Sequence, residues 1–341
     1  MMASAAAAIL IIAAAGVVLA GDVGRAAPAG GHRRVPAPPP VKTAAAPVVR
    51  VGSGAVSASL VWERRLAGVT IRESSPLAVS LPRPAVVVGG QDGRLYAVDL
   101  RTGGNLPGWP VRTPYPFNGS PAAADIAGTG TAQVFIGAGS ADHGYCSGGA
   151  VYSFDAGGAK RWSDQGSDPS CAHQAFHSTP AIGDITGTGV ADVTLGALGL
   201  QSWSFAGVNG TVNPGWPYYT DDTVFSSPAL ADVNGDGVAD VIMGGDSSPG
   251  GLIDLRGGVV RAVSGTGRTL WQFFTNEIVR SSPAVGIIDR SGQPSVVFGT
   301  GDYWVSHGGA SDADKVYAWI CTASSAGAAT LVGSPWPRLS R

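Results

Sequence analysis

Lysine is nearly missing from this chain, with three in 341 residues, and charged residues together make up only 13%. With a formal net charge of −2 there is no basic face to meet phosphates, which argues against a nucleic-acid partner. Past residue 50, no segment keeps apolar residues at helical spacing for three turns. A glycine–lysine phosphate loop, a zinc-protease helix and a serine nucleophile elbow are all lacking. Gly144-Tyr145-Cys146-Ser147-Gly148 imitates that elbow, but no helix follows it, so it reads as loop.

One apolar run stands out, Ala5 to Ala20, followed by Gly21, Asp22 and a Pro/Ala-rich stretch through Pro47. It reads as an export signal over 1–24, with a small-residue cleavage site at Val18-Leu19-Ala20, then a disordered linker over 25–50. No Lys or Arg precedes the run, whereas Arg25, Arg33 and Arg34 follow it, so an uncleaved membrane tether is the competing reading. Both readings put the folded part, residues 51–341, outside the cytoplasm, secreted or at the extracellular surface.

What the chain has in abundance is glycine, 51 residues, and a recurring phrase. Ser/Thr-Pro anchors fall at Pro76, Pro121, Pro180, Pro228 and Pro283, each followed by a Gly-rich turn, a Val-rich run, a second strand-like run and a Trp. Intervals of 45 to 59 residues match a four-stranded propeller blade. In the clearest copy, the expected strands are Ser226–Ala231, Val241–Met243, Gly257–Ser264 and Leu270–Phe273, with a turn over Asp232–Asp240. Trp109, Trp162, Trp216, Trp271 and Trp336 hold one position of the unit, where a large aromatic packs between neighbouring blades. Trp62 matches the same position with no complete unit before it. The expectation is an all-β propeller of about six four-stranded blades, possibly incomplete, after a disordered N-terminal leader.

Asp232-Val233-Asn234-Gly235-Asp236-Gly237-Val238-Ala239-Asp240 sets side-chain oxygens at positions 1, 3, 5 and 9 of a loop, with glycine at position 6. Val238 can add its carbonyl, and carboxylates this close repel unless a cation sits among them, so Ca²⁺ is the expected ion. Asp184, Thr186, Thr188 and Asp192 repeat the spacing with fewer charges. The turns at Asp125–Gln133 and Ile287–Ser295 lose most ligands. Ser226–Gly245 closely resembles the FG-GAP, or VCBS-type, repeat of integrin alpha-like propellers. The resemblance implies a calcium-stabilised propeller acting in adhesion or recognition, with a protein or glycan as partner and no particular ligand specified.

Cys146 and Cys171 flank a long insertion and are expected to form a disulfide in an oxidising compartment, leaving Cys321 over. His143, His173 and His177 crowd the same insertion, and Cys171-x-His173-x-x-x-His177 has zinc- or copper-like spacing, set against the inability of an oxidised cysteine to ligate. Loops 139–149, 163–177 and 303–314, carrying Tyr145, His173, Tyr303, Trp304 and His307, are the longest candidates for ligand contact. A rival reading comes from Leu95-Tyr96-Ala97-Val98-Asp99, Val151-Tyr152-Ser153-Phe154-Asp155 and Val263–Trp271, which are similar to the pyrroloquinoline-quinone propeller repeat. That resemblance implies an oxidoreductase, although the adjacent cysteine pair of many such enzymes is missing. A polysaccharide-degrading enzyme on a calcium propeller is the other alternative.

Overall fold

A computed structural model describes Arg50–Val51, Gly54–Ala55 and residues 60–333, apart from 67, 141–145, 147, 170, 221, 249–255, 289, 291, 308–314 and 324–328. The leader, nearly all of the linker, Tyr145, His143 and Trp336 lie outside the described residues. Among the described residues, no helix is long and apolar enough to cross a membrane. The chain divides into residues 1–59 and 60–341. In the first unit, β1 (Arg50–Val51) pairs antiparallel with β2 (Gly54–Ala55).

The second unit is a β-propeller array of five four-stranded antiparallel sheets. The first holds β3 (Leu77–Ser80), β4 (Pro84–Gly89), β5 (Arg94–Asp99) and β6 (Val111–Arg112). The second holds β7 (Ala122–Ala124), β8 (Gln133–Gly139), β9 (Gly149–Phe154) and β10 (Lys160–Asp164). The third holds β11 (Ala181–Gly183), β12 (Asp192–Gly196), β13 (Gln201–Ala206) and β14 (Tyr218–Tyr219). The fourth holds β15 (Ala229–Ala231), β16 (Asp240–Ser247), β17 (Gly257–Val263) and β18 (Thr269–Thr275). The fifth holds β19 (Ala284–Gly286), β20 (Ser295–Gly299), β21 (Val316–Ala323) and β22 (Ala329–Gly333). In every sheet the strands pair in chain order, as short hairpin turns dictate. One single-turn helix, α1 (Tyr303–Ser306), completes the described elements.

Five four-stranded sheets stand among the described residues, against an expectation of about six blades with the array possibly incomplete. Residues 60–66 form no strand in the described structure, so Trp62 keeps its packing role without bringing a sheet of its own.

Both faces of the second strand in a sheet are covered, and this explains its unbroken apolar run. Val134 and Ile136 of β8 face the first sheet, whereas Phe135 faces the third. Four interleaved cores result, one at each junction. Phe205 is fully buried with its ring centroid 6.1 Å from Trp162 and 5.9 Å from Trp203. Aromatic pairs of this kind add about 0.5–1.5 kcal/mol each beyond the area they bury.

The recurring tryptophans also hydrogen-bond across the junctions. The indole Nε1 of Trp62 donates to Leu100 O at 2.8 Å, Trp109 to Ala156 O at 3.2 Å, Trp162 to Gly207 O at 2.8 Å and Trp216 to Gly265 O at 2.8 Å. Each acceptor lies in the turn between the third and fourth strands of the sheet that the ring packs onto. Trp271 is buried with Val296 and Phe298, but its indole nitrogen finds no such acceptor among the described residues.

Candidate functional site

The Ser/Thr-Pro phrase acquires its meaning at the start of each inner strand. Backbone pairing between β15 and β16 runs out at Ala229–Ile242, and two residues further Gly244 N–H donates to Ser226 Oγ at 3.1 Å. A side-chain oxygen thus continues the ladder where the chain bends away. The same bond joins Gly89 to Ser74 (3.2 Å), Gly196 to Ser178 (2.7 Å) and Gly299 to Ser281 (2.9 Å). The following hydroxyl ties neighbouring sheets together: Ser75 N–H donates to Ser120 Oγ, Thr179 N–H to Ser227 Oγ and Ser227 N–H to Ser282 Oγ.

The strand glycine has a second job. A Cβ on Gly137 would come within 2.7 Å of Phe176, on Gly196 within 2.3 Å of Val224, and on Gly244 within 2.6 Å of Val279. A buried apolar residue of the next lead-in segment therefore seats directly on it. Between that seat and the serine latch lies one residue held from both sides. Across the five repeats it is Glu73, Asn118, His177, Phe225 and Arg280. The bracket is complete around His177, Phe225 and Arg280; Gly119 replaces the latch serine after Asn118, and Arg72 stands at the seat position before Glu73, while the residue presented differs every time.

Four of those five side chains meet. Glu73 Oε2 lies 3.1 Å from His177 Nε2, bridging the lead-in segments of the first and third sheets. His177 stands edge-on to Phe225 at 5.1 Å, and the Arg280 guanidinium lies over the Phe225 ring at 4.4 Å. Arg280 also donates from Nε (3.1 Å) and Nη2 (2.9 Å) to Asp246 Oδ2, and it stands 5.8 Å from the Tyr303 ring. Asp246 is buried, and burial raises its carboxyl pKa, with Arg280 opposing the shift. Its second oxygen has no hydrogen bond among the described residues. Asn118 is recessed, donating to Gly139 O and accepting from Gln91.

Tyr303 and Trp304 sit on α1, whose first turn is pinned by the buried Glu277 carboxylate accepting from Trp304 N (2.8 Å) and Val305 N (2.5 Å). His307 stacks on Tyr303 at 4.2 Å. No sequence signal singled out Glu73, Phe225 or Arg280. The available clue is variation at a fixed place in an otherwise repeated phrase.

The acidic loops lie in the turns between the first and second strands. In three sheets the first aspartate accepts the backbone N–H groups four and five residues on: Asp125 from Thr129 and Gly130, Asp184 from Thr188 and Gly189, Asp232 from Asp236 and Gly237. Positive φ is needed at two glycines per turn, +80° at Gly235 and +85° at Gly237 in the fourth sheet, so the bend depends on Gly235 as well as on position 6 of the loop.

The fourth-sheet loop is the most highly charged. Asn234 Nδ2 donates to Asp236 Oδ2 (2.9 Å) and Asp240 Oδ1 (3.3 Å), so those two carboxylates flank one point. Burial, together with the charges of Asp236 and Asp232, pushes the Asp240 pKa up to about 6. Asp232 itself is turned into the loop amides, and no three His, Cys, Asp or Glu side chains converge as a metal-holding group among the described residues. Val238 closes the loop by donating its N–H to Asp236 Oδ1. In the third sheet, hydroxyls stand where charges would. Thr186 Oγ1 donates to Asp192 Oδ2 at 3.0 Å and lies 3.3 Å from Thr188 Oγ1, while Asn213 donates to Asp192 Oδ1. Burial tends to raise the Asp184 pKa, but backbone N–H groups from Thr186 to Gly189 outweigh it and hold that carboxyl below its ordinary range.

Cys146 and Cys171 are joined by a disulfide, with Cα atoms 5.1 Å apart. That bond consumes the cysteine of the zinc-like spacing, and His177 points instead to Glu73 and Phe225. The stapled insertion borders a crevice of about 640 Å³ between the first two sheets, lined by Arg112, Tyr115, Tyr152, Lys160, Asp164 and Gln165. Burial pushes the Tyr152 phenol pKa up to about 12.

No family model matches the chain, and no curated protein matches it in sequence. Solved structures do resemble it. BamB from Moraxella catarrhalis is 17% identical with a TM-score of 0.44, over 70% of this chain and 57% of that one. The V. cholerae biofilm matrix protein Bap1 is 16% identical with a TM-score of 0.38, over 71% and 48%. Quinohemoprotein alcohol dehydrogenase from Comamonas testosteroni is 16% identical with a TM-score of 0.39, over 65% and 38%. The matched part thus spans roughly 38–57% of those chains.

Proposed function

We propose that this chain is an exported, calcium-stabilised propeller that binds a protein or glycan ligand at the end of the array where the lead-in segments meet. The observation that carries this reading is the contrast within the repeat. Five equivalent lead-in positions present five different side chains, four of them linked in a chain of contacts from Glu73 through His177 and Phe225 to Arg280. Packing alone gives no reason for a carboxylate, an imidazole, a phenyl and a guanidinium to share one place. Recognition of a ligand does. The disulfide supports an oxidising compartment, in keeping with the apolar leader run.

Calcium fits the fourth-sheet loop on one observation: the Asn234 amide already supplies positive character between two carboxylates that otherwise repel. Asp236, Asp240, the Asn234 oxygen and the Val238 carbonyl would hold the ion, and Asp232 would add charge while keeping the turn closed. The ion supplies structural charge compensation only. The third-sheet loop, with Thr186 and Thr188 serving as donors, has less need of it.

Glycan-array binding by the full chain, run beside a dye-linked assay for sugar or alcohol oxidation with added quinone, tests the reading. Binding without turnover supports it. Quinone-dependent turnover overturns it in favour of an oxidoreductase.

A further inference from the structure

We propose that the exposed surface running from Glu73 across Phe225 and Arg280 to Tyr303 is a saccharide site, selective for a neutral, polyhydroxylated ring. This inference rests on the reading of the chain as a binding module and names its ligand class.

The argument starts from the hydrogen-bonding groups that the fold leaves unused. Glu73 pairs through Oε2, and its Oε1 has no partner among the described residues; the side chain is 54% exposed. Arg280 spends Nε and Nη2 on Asp246, leaving Nη1 free on a side chain 44% exposed. The Tyr303 hydroxyl has no hydrogen bond among the described residues, on a residue 39% exposed, whereas the unpaired Asp246 Oδ1 is buried and not presented to solvent. In order, the surface offers an acceptor, a donor, and a group that does both.

Charge then narrows the ligand. An anion drawn to Arg280 finds that guanidinium already paired with Asp246 and meets the further negative charge of Glu73 along the same surface. A cation drawn to those carboxylates meets Arg280. Only a group that donates and accepts without net charge satisfies all three, and a hydroxyl is that group. Several hydroxyls spaced along one rigid ring describe a sugar. Arg280 covers one face of Phe225, and His307 covers one face of Tyr303, so hydrogen bonds rather than stacking do most of the recognition.

Isothermal titration calorimetry on the full chain would use neutral oligosaccharides and uronate oligosaccharides of matched length. Glu73→Gln and Tyr303→Phe are the variants, because both side chains reach solvent and their loss leaves the core intact; thermal unfolding checks this. The expected result is binding of neutral sugars, insensitive to salt, weakened about tenfold by each variant, the scale of one lost hydrogen bond to a charged or well-placed group. Salt-sensitive binding of uronates alone, wild-type affinity in both variants, or no saccharide binding at all would each overturn the site. In those cases the binding-module reading survives, since only quinone-dependent turnover removes it.

Discussion

Ser226→Ala tests the idea that the repeated phrase is a latch. Ser226 is fully buried, and its hydroxyl does two things: it accepts from Gly244 N–H at 3.1 Å and donates to Ser281 O at 2.9 Å. Alanine removes one oxygen and no carbon, so cavity effects are small. What is lost is the partner of a buried backbone N–H, which lies past the end of the ladder and has no alternative acceptor. Leaving such a donor unsatisfied costs about 1–3 kcal/mol, and we expect a value near the middle, roughly 2 kcal/mol. For a unit the size of residues 60–341 that corresponds to a drop in Tm of about 3–4 °C. Urea unfolding followed by tryptophan fluorescence would read it as a lower midpoint with an unchanged slope. Ser227→Ala is the internal comparison: its hydroxyl takes the less buried Thr179 N–H, so its cost should be smaller, about 0.5–1 kcal/mol. A Ser226→Ala loss within about 0.5 kcal/mol, or one no larger than that of Ser227→Ala, would refute the latch.

Calcium at one hundred times its dissociation constant should stabilise the full chain by about 2.7 kcal/mol, and Asp236→Asn should abolish most of that gain while leaving stability in EDTA unchanged or slightly higher. Calcium titrations followed by thermal unfolding decide this; a gain retained in Asp236→Asn would place the ion elsewhere. Reduction of the Cys146–Cys171 bridge should cost about 3 kcal/mol, because it frees a closed loop spanning 25 residues. Unfolding with and without reductant measures it. Arg280→Met should destabilise by about 2 kcal/mol at neutral pH, less than a fully buried pair because Arg280 is partly exposed. The loss should shrink in acid. The Asp246 pKa is raised on folding, so the folded form holds its proton to higher pH than the unfolded chain, and a protonated carboxyl needs no cation. Urea midpoints from pH 4 to pH 8 would show a constant loss if this reasoning fails.

Much of the fold was legible because the repeats wrote it five times. Strand positions in the fourth unit agree with the structure to within a few residues, since Val-rich runs between Gly-rich turns have few other ways to bury themselves. The tryptophans were read as junction residues, but not as hydrogen-bond donors, because an indole's acceptor lies on the next sheet and is invisible to local pattern. Blade number was harder. Trp62 matches the repeated position, yet the segment around it forms no strand, and a single aligned residue does not reveal whether its unit is whole. The lead-in site escaped because its residues share no type. Glu73 and His177 stand 104 positions apart, and only the ring-like return of the repeat brings them to 3.1 Å.

Among the described residues, the indoles of Trp109, Trp162 and Trp216 reach forward from one sheet to its successor, and that of Trp62 reaches forward onto the first sheet. Such a seam is head-to-tail, with a fixed rise and turn from member to member but no inherent limit on how many members join. Gain or loss of one whole unit by gene duplication or excision would leave every surviving seam chemically intact. Drift in blade number is therefore cheap for this architecture, while reversing a single sheet would sever two seams at once.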